Sequence, residues 1–388
     1  MDTLYELFYA KLAETSTDFQ RYLHHRINWK NRIIAIMGER GVGKTTLLLQ
    51  KIKMDGPDKT LYFSADNVYF GQHTLFDTAN EFYRKGGERL YIDEIHKYPA
   101  WSMELKMIYD YCPKLQVVVT GSSILDLYKG TADLSRRVVS YTLAGLSFRE
   151  FLAMSKGIVL PPATLEQILK HDVSFPHNER PLALFDDYLK AGYYPFWNET
   201  DYTTRLNNVI TLTVENDIPT YAKMNVSTSR KLKQLLFIIS QSVPFKPNYT
   251  EIGAAMECDR GTVADLSFDM EKARLLMSLR HFDDGMKNFG KLEKLYLGNT
   301  NLIYALSEGK PDIGNLRETF FLSQIQVNQN VYASKVSDFV IEGKTFEVGG
   351  KSKGKKQIAE VKDGFVVKDD IEYGHDNIIP LWHFGMNY

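Results

Sequence analysis

The chain has 388 residues, 44% hydrophobic and 24% charged, the composition of a soluble globular protein with room for two to four domains. Its 47 basic side chains nearly balance 48 acidic ones, so no overall field draws in nucleic acid or a membrane surface. Cys112 and Cys258 lie far apart without metal-ligand spacing, which excludes a zinc site or a disulfide framework and suits a reducing cytoplasm. No basic and apolar leader opens the sequence and no run approaches a membrane span, so a cytoplasmic protein is expected.

Leu4, Leu7, Phe8 and Leu12 recur at helical spacing, and residues 1–29 are read as one or two helices packed on the core of the first domain. His24 and His25 are helix neighbours that point in different directions, a solvated polar face rather than a metal site. Residues 32–37 form a short apolar, β-branched run, the pattern of a buried parallel strand. Next comes Gly38-Glu39-Arg40-Gly41-Val42-Gly43-Lys44-Thr45, which fits G-x-x-x-x-G-K-[ST]. The residues after it, Thr46 first, are mostly good helix formers.

Strand, glycine loop and helix thus arrive in the order a phosphate-binding loop requires. Gly38, Gly41 and Gly43 permit positive φ and close approach, and the loop N–H groups with the helix N-terminus form an anion cradle. Lys44 is expected to reach the β- and γ-phosphates of ATP and to act in catalysis, and Thr45 to place a hydroxyl on Mg²⁺.

Residues 60–64 read as a second strand. Residues 72–85 read as a helix with Leu75, Ala79 and Phe82 on one face, stopped by Gly86-Gly87. Arg89-Leu90-Tyr91-Ile92-Asp93-Glu94-Ile95 is an apolar strand ending in two carboxylates, the Walker B pattern. Asp93 is expected to hold Mg²⁺, directly or through water, and Glu94 to polarise the attacking water as a general base. His96 and Lys97 read as structural.

Residues 101–109 form an amphipathic helix, and residues 115–120 a strand running into Gly121-Ser122-Ser123. The hydroxyls of Thr120, Ser122 and Ser123 fall at the carboxyl end of a strand beside Asp93, where open α/β sheets bind ligands; a serine cap for a helix opening at Ile124 is the equal alternative. Arg136 and Arg137 offer a guanidinium for charge on the γ-phosphate, in cis or from a neighbouring subunit, or else a surface pair bound to carboxylates.

These stretches resemble the bacterial and archaeal AAA-family ATPases that carry a C-terminal domain of unknown function. The resemblance rests on the phosphate loop, on Asp93-Glu94-Ile95 followed by Trp101, and on Thr120-Gly121-Ser122-Ser123. Leu146-Ser147-Phe148-Arg149-Glu150-Phe151, the most distinctive stretch, and Gly192-Tyr193-Tyr194-Pro195 add to it, and it extends more loosely over nearly the whole chain. It implies an AAA-type α/β core with a parallel sheet, then a helical connector, then a winged-helix-like segment, in a family whose cellular role is largely undefined.

Pro161-Pro162, Pro176 and Pro181 break the connector around one short helix near residues 165–170, and residues 182–189 and 203–216 read as further helices. Within residues 223–280, Thr250 to Met256 and the stretch opening at Gly261 form a helix-turn-helix pattern. A DNA reader places the second helix in the major groove; here its opening offers Arg260, Thr262 and Asp265, a thin basic surface. Duplex DNA and a protein partner both stay open.

The last segment resembles the PD-(D/E)XK nuclease fold, in which an acid followed by Glu-x-Lys on a hairpin binds Mg²⁺. Glu318, Asp338 and Glu347 match its acids. The lysine position holds Gly349, and Lys351 is on the right face but one step too far, so a degenerate scaffold is expected. Lys351-Ser352-Lys353-Gly354-Lys355-Lys356 is either a phosphate contact or a solvated turn. Residues 378–384 read as a closing strand.

The expected organisation is an ATPase core over residues 1–154, a connector over 155–222, a winged-helix-like domain over 223–310 and a small α+β domain over 311–388. The leading reading is a Mg²⁺-dependent ATPase whose nucleotide state is transmitted to C-terminal interaction domains, with a homo-oligomer left open. The alternative is a nucleotide-gated DNA- or protein-binding module with slow hydrolysis, and a third is an ATPase-gated nuclease. No Asn-Lys-x-Asp motif argues for guanine.

Overall fold

Five short strands rich in Ile, Val and Tyr form one parallel sheet in the first part of the chain. They are β1 (Ile33–Met37), β2 (Thr60–Ser64), β3 (Arg89–Asp93), β4 (Gln116–Gly121) and β5 (Val138–Thr142), in the order β2-β3-β4-β1-β5. In this computed structural model the described residues are 1–121, 134, 136–222, 224–242, 246–281, 291–307, 311–354 and 356–388. They fall into two compact units, Met1–Ala144 and Gly145–Tyr388, and the segments expected as connector, winged helix and α+β domain all lie in the second.

In the first unit β1 is buried at every position, as its unbroken apolar run requires of an inner parallel strand. Helices α1 (Asp2–Glu14), α2 (Lys44–Asp55), α3 (Leu75–Arg84) and α4 (Trp101–Tyr111) accompany the sheet. Leu4, Phe8 and Leu12 of α1 are buried, whereas Leu7 is 48% exposed. α3 starts later than residue 72 because Thr74 caps it, its side chain accepting from the Asp77 N–H. His24 corrects the expected solvated face: it is buried beside Trp29.

β5 has no counterpart among the expected strands. It is an edge strand with half-exposed residues and lacks the continuous apolar signature of its neighbours. Since all five strands run parallel, their carboxyl ends share one edge, which collects the glycine loop after β1, Asp93 of β3 and Thr120 of β4.

The second unit opens with α5 (Phe148–Lys156). Ser147 and Glu150 cap it reciprocally, and Ser147 Oγ also donates to the Tyr388 carbonyl oxygen at 2.7 Å. Two helices match expectation closely: Leu165–Leu169, and α6 (Pro181–Ala191) with proline in its first turn. The helix expected over 203–216 runs Tyr202–Leu212 and then makes a single π turn, Thr213–Asp217.

Helices α7 (Val226–Ser242), α8 (Tyr249–Ala255) and α9 (Arg260–Lys272) precede an antiparallel pair, β6 (Leu276–Arg280) and β7 (Leu292–Leu297). The turn between α8 and α9 is tight: a Cβ on Gly253 would meet the Cys258 carbonyl oxygen at 2.7 Å. Asp259 caps α9 through the Thr262 N–H at 3.0 Å.

Helix α10 (Ile313–Ile325) packs on a second sheet of β8 (Tyr332–Ala333), β9 (Phe339–Ile341), β10 (Lys344–Gly349), β11 (Gly364–Lys368) and β12 (Ile378–Pro380). The β8-β9-β10 pairs are antiparallel and the β10-β11-β12 pairs parallel. The expected closing strand over 378–384 is cut short at Pro380, and Leu381–Met386 forms a 3₁₀ turn instead. Among the described residues no helix is long and apolar enough to cross a membrane.

Candidate active site

The loop between β1 and α2 is built by glycine geometry. Gly41 and Gly43 hold φ of 87° and 92°, conformations that L side chains rarely adopt. A Cβ on Gly38 would stand 2.5 Å from the Leu143 carbonyl oxygen, so this position is closed to side chains by contact rather than by φ. Lys44 opens α2 with its side chain buried, and its ammonium donates to the carbonyls of Gly38 and Glu39 at 3.0 and 2.9 Å. Burial holds the Lys44 pKa below its usual value, while Glu94, Asp93 and Glu39 pull it back up.

Glu39 is buried, Arg40 half-buried and Thr46 exposed on the first turn of α2. A residue outside every motif braces the loop from behind. Buried Arg21 donates to the Val42 carbonyl at 2.5 Å and to the Ala144 carbonyl at 2.7 Å.

Asp93, buried at the end of β3, gathers three hydroxyls. Thr45 Oγ1 donates to Oδ2 at 2.6 Å, Tyr62 donates to the same oxygen at 3.0 Å, and Thr120 Oγ1 donates to Oδ1. Thr120 also accepts from the Glu94 N–H at 3.0 Å, so it touches both acids. The sequence-predicted Thr45, Asp93, Glu94 and Thr120 are thereby brought together. Tyr62 is an addition that sequence reasoning misses, since it sits inside an ordinary buried strand and belongs to no motif.

Glu94 leaves the strand with φ 49°, a left-handed conformation uncommon for a non-glycine residue. Its Oε2 lies 3.4 Å from His96 Nε2, yet that oxygen is buried and has no hydrogen bond. Burial raises the Glu94 pKa against the opposing pull of Lys44. A carboxylate of raised basicity whose buried oxygen has no hydrogen bond, beside an anion cradle, is equipped to take a proton from water.

Of the readings open for the arginines, the structure departs from the finger in cis and pairs Arg137 with a surface carboxylate. Arg137 and Arg136 precede β5, and Val138 pairs with Ile33, so they lie at the amino edge of the sheet. A five-residue strand puts that edge roughly 13 Å from the loop. Arg137 Nη2 is 3.7 Å from Asp110 Oδ1, and its guanidinium lies over the Tyr109 ring. Arg136 is exposed. A finger in cis is therefore not what this placement provides, because five strand residues separate the pair from the phosphate end. Ser122 and Ser123, and the helix expected at Ile124, lie outside the described residues.

In the second unit the nuclease-like acids are occupied by lysines. Lys294 of β7 reaches Glu318 Oε2 at 3.0 Å and Asp338 Oδ1 at 3.3 Å, and Tyr296 donates to Glu318 Oε2 at 2.7 Å. Burial, then the nearby Asp338 charge, raise the Glu318 pKa. Buried Glu347 is paired with Lys353 and accepts from Ser337.

Lys351, the expected candidate, is exposed, and a turn from Gly350 to Lys353 explains why. That turn folds the Lys353 stem over Gly349, within 2.7 Å of where a Cβ would be. Among the described residues no three His, Cys, Asp or Glu side chains gather as a metal-holding group.

Residues 30–152 match a family model described as an AAA domain, and residues 182–312 match one described as a domain of unknown function. An uncharacterized protein of Methanocaldococcus jannaschii is 28% identical over a 292-residue alignment that covers 69% of this chain. The match spans 61% of that relative's length. AMPPCP-bound DnaA from Aquifex aeolicus overlays with a TM-score of 0.28 at 16% identity, over 69% of this chain and 87% of that one. The S. cerevisiae Hsp104–ADP complex gives 0.32 at 15% identity, over 68% of this chain and 41% of that one. By its glycine loop, its parallel sheet and the family match, the chain carries an AAA-family P-loop domain, followed by a domain of unknown function.

Proposed function

We propose that this protein binds ATP with Mg²⁺ and hydrolyses it. The observation that carries this reading is the exit of β3. There Asp93 is shared between Thr45 of the loop and Thr120 of the next strand, and Glu94 follows with an oxygen that has no hydrogen bond.

The residues fit the group. A carboxylate and a hydroxyl are the hard oxygen donors that Mg²⁺ takes beside phosphate and water, and Asp93 and Thr45 would hold it. When bound, Mg²⁺ neutralises phosphate charge and ATP supplies the phosphoryl group that water attacks. Lys44 exchanges two carbonyl partners for phosphate oxygens, a stronger partner for a buried ammonium. Glu94 Oε2 accepts the proton of water, and Thr120 fixes the backbone from which Glu94 projects.

The test is steady-state hydrolysis of ATP with Mg²⁺ by wild type and by Glu94→Gln, with and without duplex DNA. Glu94→Gln should retain ATP and lose turnover by about 10²- to 10⁴-fold. Turnover at the wild-type rate would remove Glu94 as the base. A wild type that neither binds nor hydrolyses ATP would end the reading.

The second unit is then the output, and helices α7 to α9 with β6 and β7 follow the order of a winged helix. Six acids stand against two bases between Tyr249 and Lys272. Asp265 is exposed on α9, and Phe268 is 52% exposed there. Duplex DNA requires cations facing its phosphates, so this surface favours a protein partner. Added DNA should leave the hydrolysis rate unchanged; a clear rise would restore DNA as the partner.

A further inference from the structure

Lys11, Tyr62 and Asp93 form a chain of polar contacts that leads from the first helix into the metal-holding carboxylate. Tyr62 lies mid-strand in β2, level with Tyr91, whereas Ser64 is level with Asp93. The offset of two residues is roughly 7 Å along the strand, which a tyrosine spans and a serine or threonine does not. The Tyr62 hydroxyl stands 3.0 Å from Asp93 Oδ2. Lys11 Nζ of α1 lies 3.5 Å from that hydroxyl and 5.5 Å from the ring centroid. Phe8 of the same helix packs against the ring at 6.1 Å.

The direction of the chain is fixed by chemistry. An ammonium only donates and a carboxylate only accepts, so the Tyr62 oxygen receives from Lys11 and its proton goes to Asp93. Linked donors of this kind polarise one another. A carboxylate has about four lone-pair positions, and Thr45, Tyr62 and Thr120 take three. The three together set where the remaining one points.

We propose that Tyr62 is a positioning residue for Asp93 and that, through Lys11, helix α1 is part of the metal site. This rests on the ATPase reading and adds a residue and a helix to it. Partners that orient a metal ligand are commonly worth 10- to 100-fold in metal affinity.

The experiment uses the full chain and a fluorescent, non-hydrolysable ATP analogue, titrated once with Mg²⁺ and once with EDTA. The readout is the ratio of the two affinities, which isolates the metal's share of binding. Tyr62→Phe keeps the ring and removes the donor. It should lower the ratio by about tenfold while the EDTA affinity holds. Lys11→Met, at an exposed position, should lower it by about twofold.

An unchanged ratio in Tyr62→Phe overturns the proposal, and so does an equal loss in both buffers, which would mean general damage to the loop. If Tyr62→Phe does not fold, Lys11→Met decides alone, and an unchanged ratio there overturns the role of α1. A wild type that binds nucleotide in neither buffer defeats the ATPase reading itself, an outcome distinct from an intact ratio in a variant.

Discussion

Arg21 shows how much a single side chain outside any motif contributes to this site. Its guanidinium is buried against two backbone carbonyls, 21 and 123 residues away in sequence. Arg21→Met should therefore strand both acceptors and cost about 2 to 3 kcal/mol, measured by denaturant unfolding, with a parallel loss of nucleotide affinity. Such a role is illegible in the sequence, because partners that are backbone atoms carry no residue signature. The glycine loop, Lys44, Thr45, Asp93 and Glu94 are legible because their chemistry needs fixed residue types at fixed spacing.

Glu94 gives a second prediction at this scale. Its folded pKa is raised by burial, so the folded chain binds a proton more readily than the unfolded chain between the ordinary glutamate value and the raised one. Stability then falls as pH rises through that window. Glu94→Gln should melt at a higher temperature than wild type at pH 8, and the difference should vanish towards pH 4. An equal gain at both pH values would trace it to packing instead. The same proton should place the acid limb of kcat/KM above the pH at which an ordinary glutamate titrates.

Among the elements, strands β1 to β4 are readable as apolar runs between turn signals, whereas β5 is not. β5 is half-exposed and has no buried apolar run to mark it beside the charged pair Arg136 and Arg137. Arg137→Ala should leave single-chain hydrolysis unchanged and cost less than about 1 kcal/mol, since its partner Asp110 is partly exposed. A large loss of activity at high protein concentration alone would instead mark a role in trans.

The tie between β7 and the second sheet is the stronger one. Lys294→Ala would leave Glu318 and Asp338 facing each other without their shared cation, a loss of about 1 to 3 kcal/mol in urea unfolding. Adding Glu318→Gln should recover part of it, and a double-mutant cycle showing no coupling would contradict the tie. The lysine expected at position 351 is misplaced by the strand alternation rule. The rule holds only while the strand lasts, and here a turn after Gly349 brings Lys353 back instead.

On the scale of the whole molecule, each unit has its own sheet and its own buried residues. Calorimetry should resolve two transitions, with Mg²⁺ and ATP raising the one that belongs to Met1–Ala144. At nucleotide concentrations about 100 times the Kd the stabilisation would be about 2.7 kcal/mol. A single transition would show that the units unfold as one.

The same guanidinium that braces the loop also holds the carbonyl of Ala144, the last residue of the first unit. A polypeptide severed after Ala144 would turn that neutral acceptor into a terminal carboxylate. A charged partner binds a guanidinium about twice as strongly as a neutral one, and it would compete with Val42 for Arg21. The isolated fragment would then carry a loop arrangement that the intact protein does not have. Cleavage several residues further on would preserve the amide, and with it the native grip on the loop.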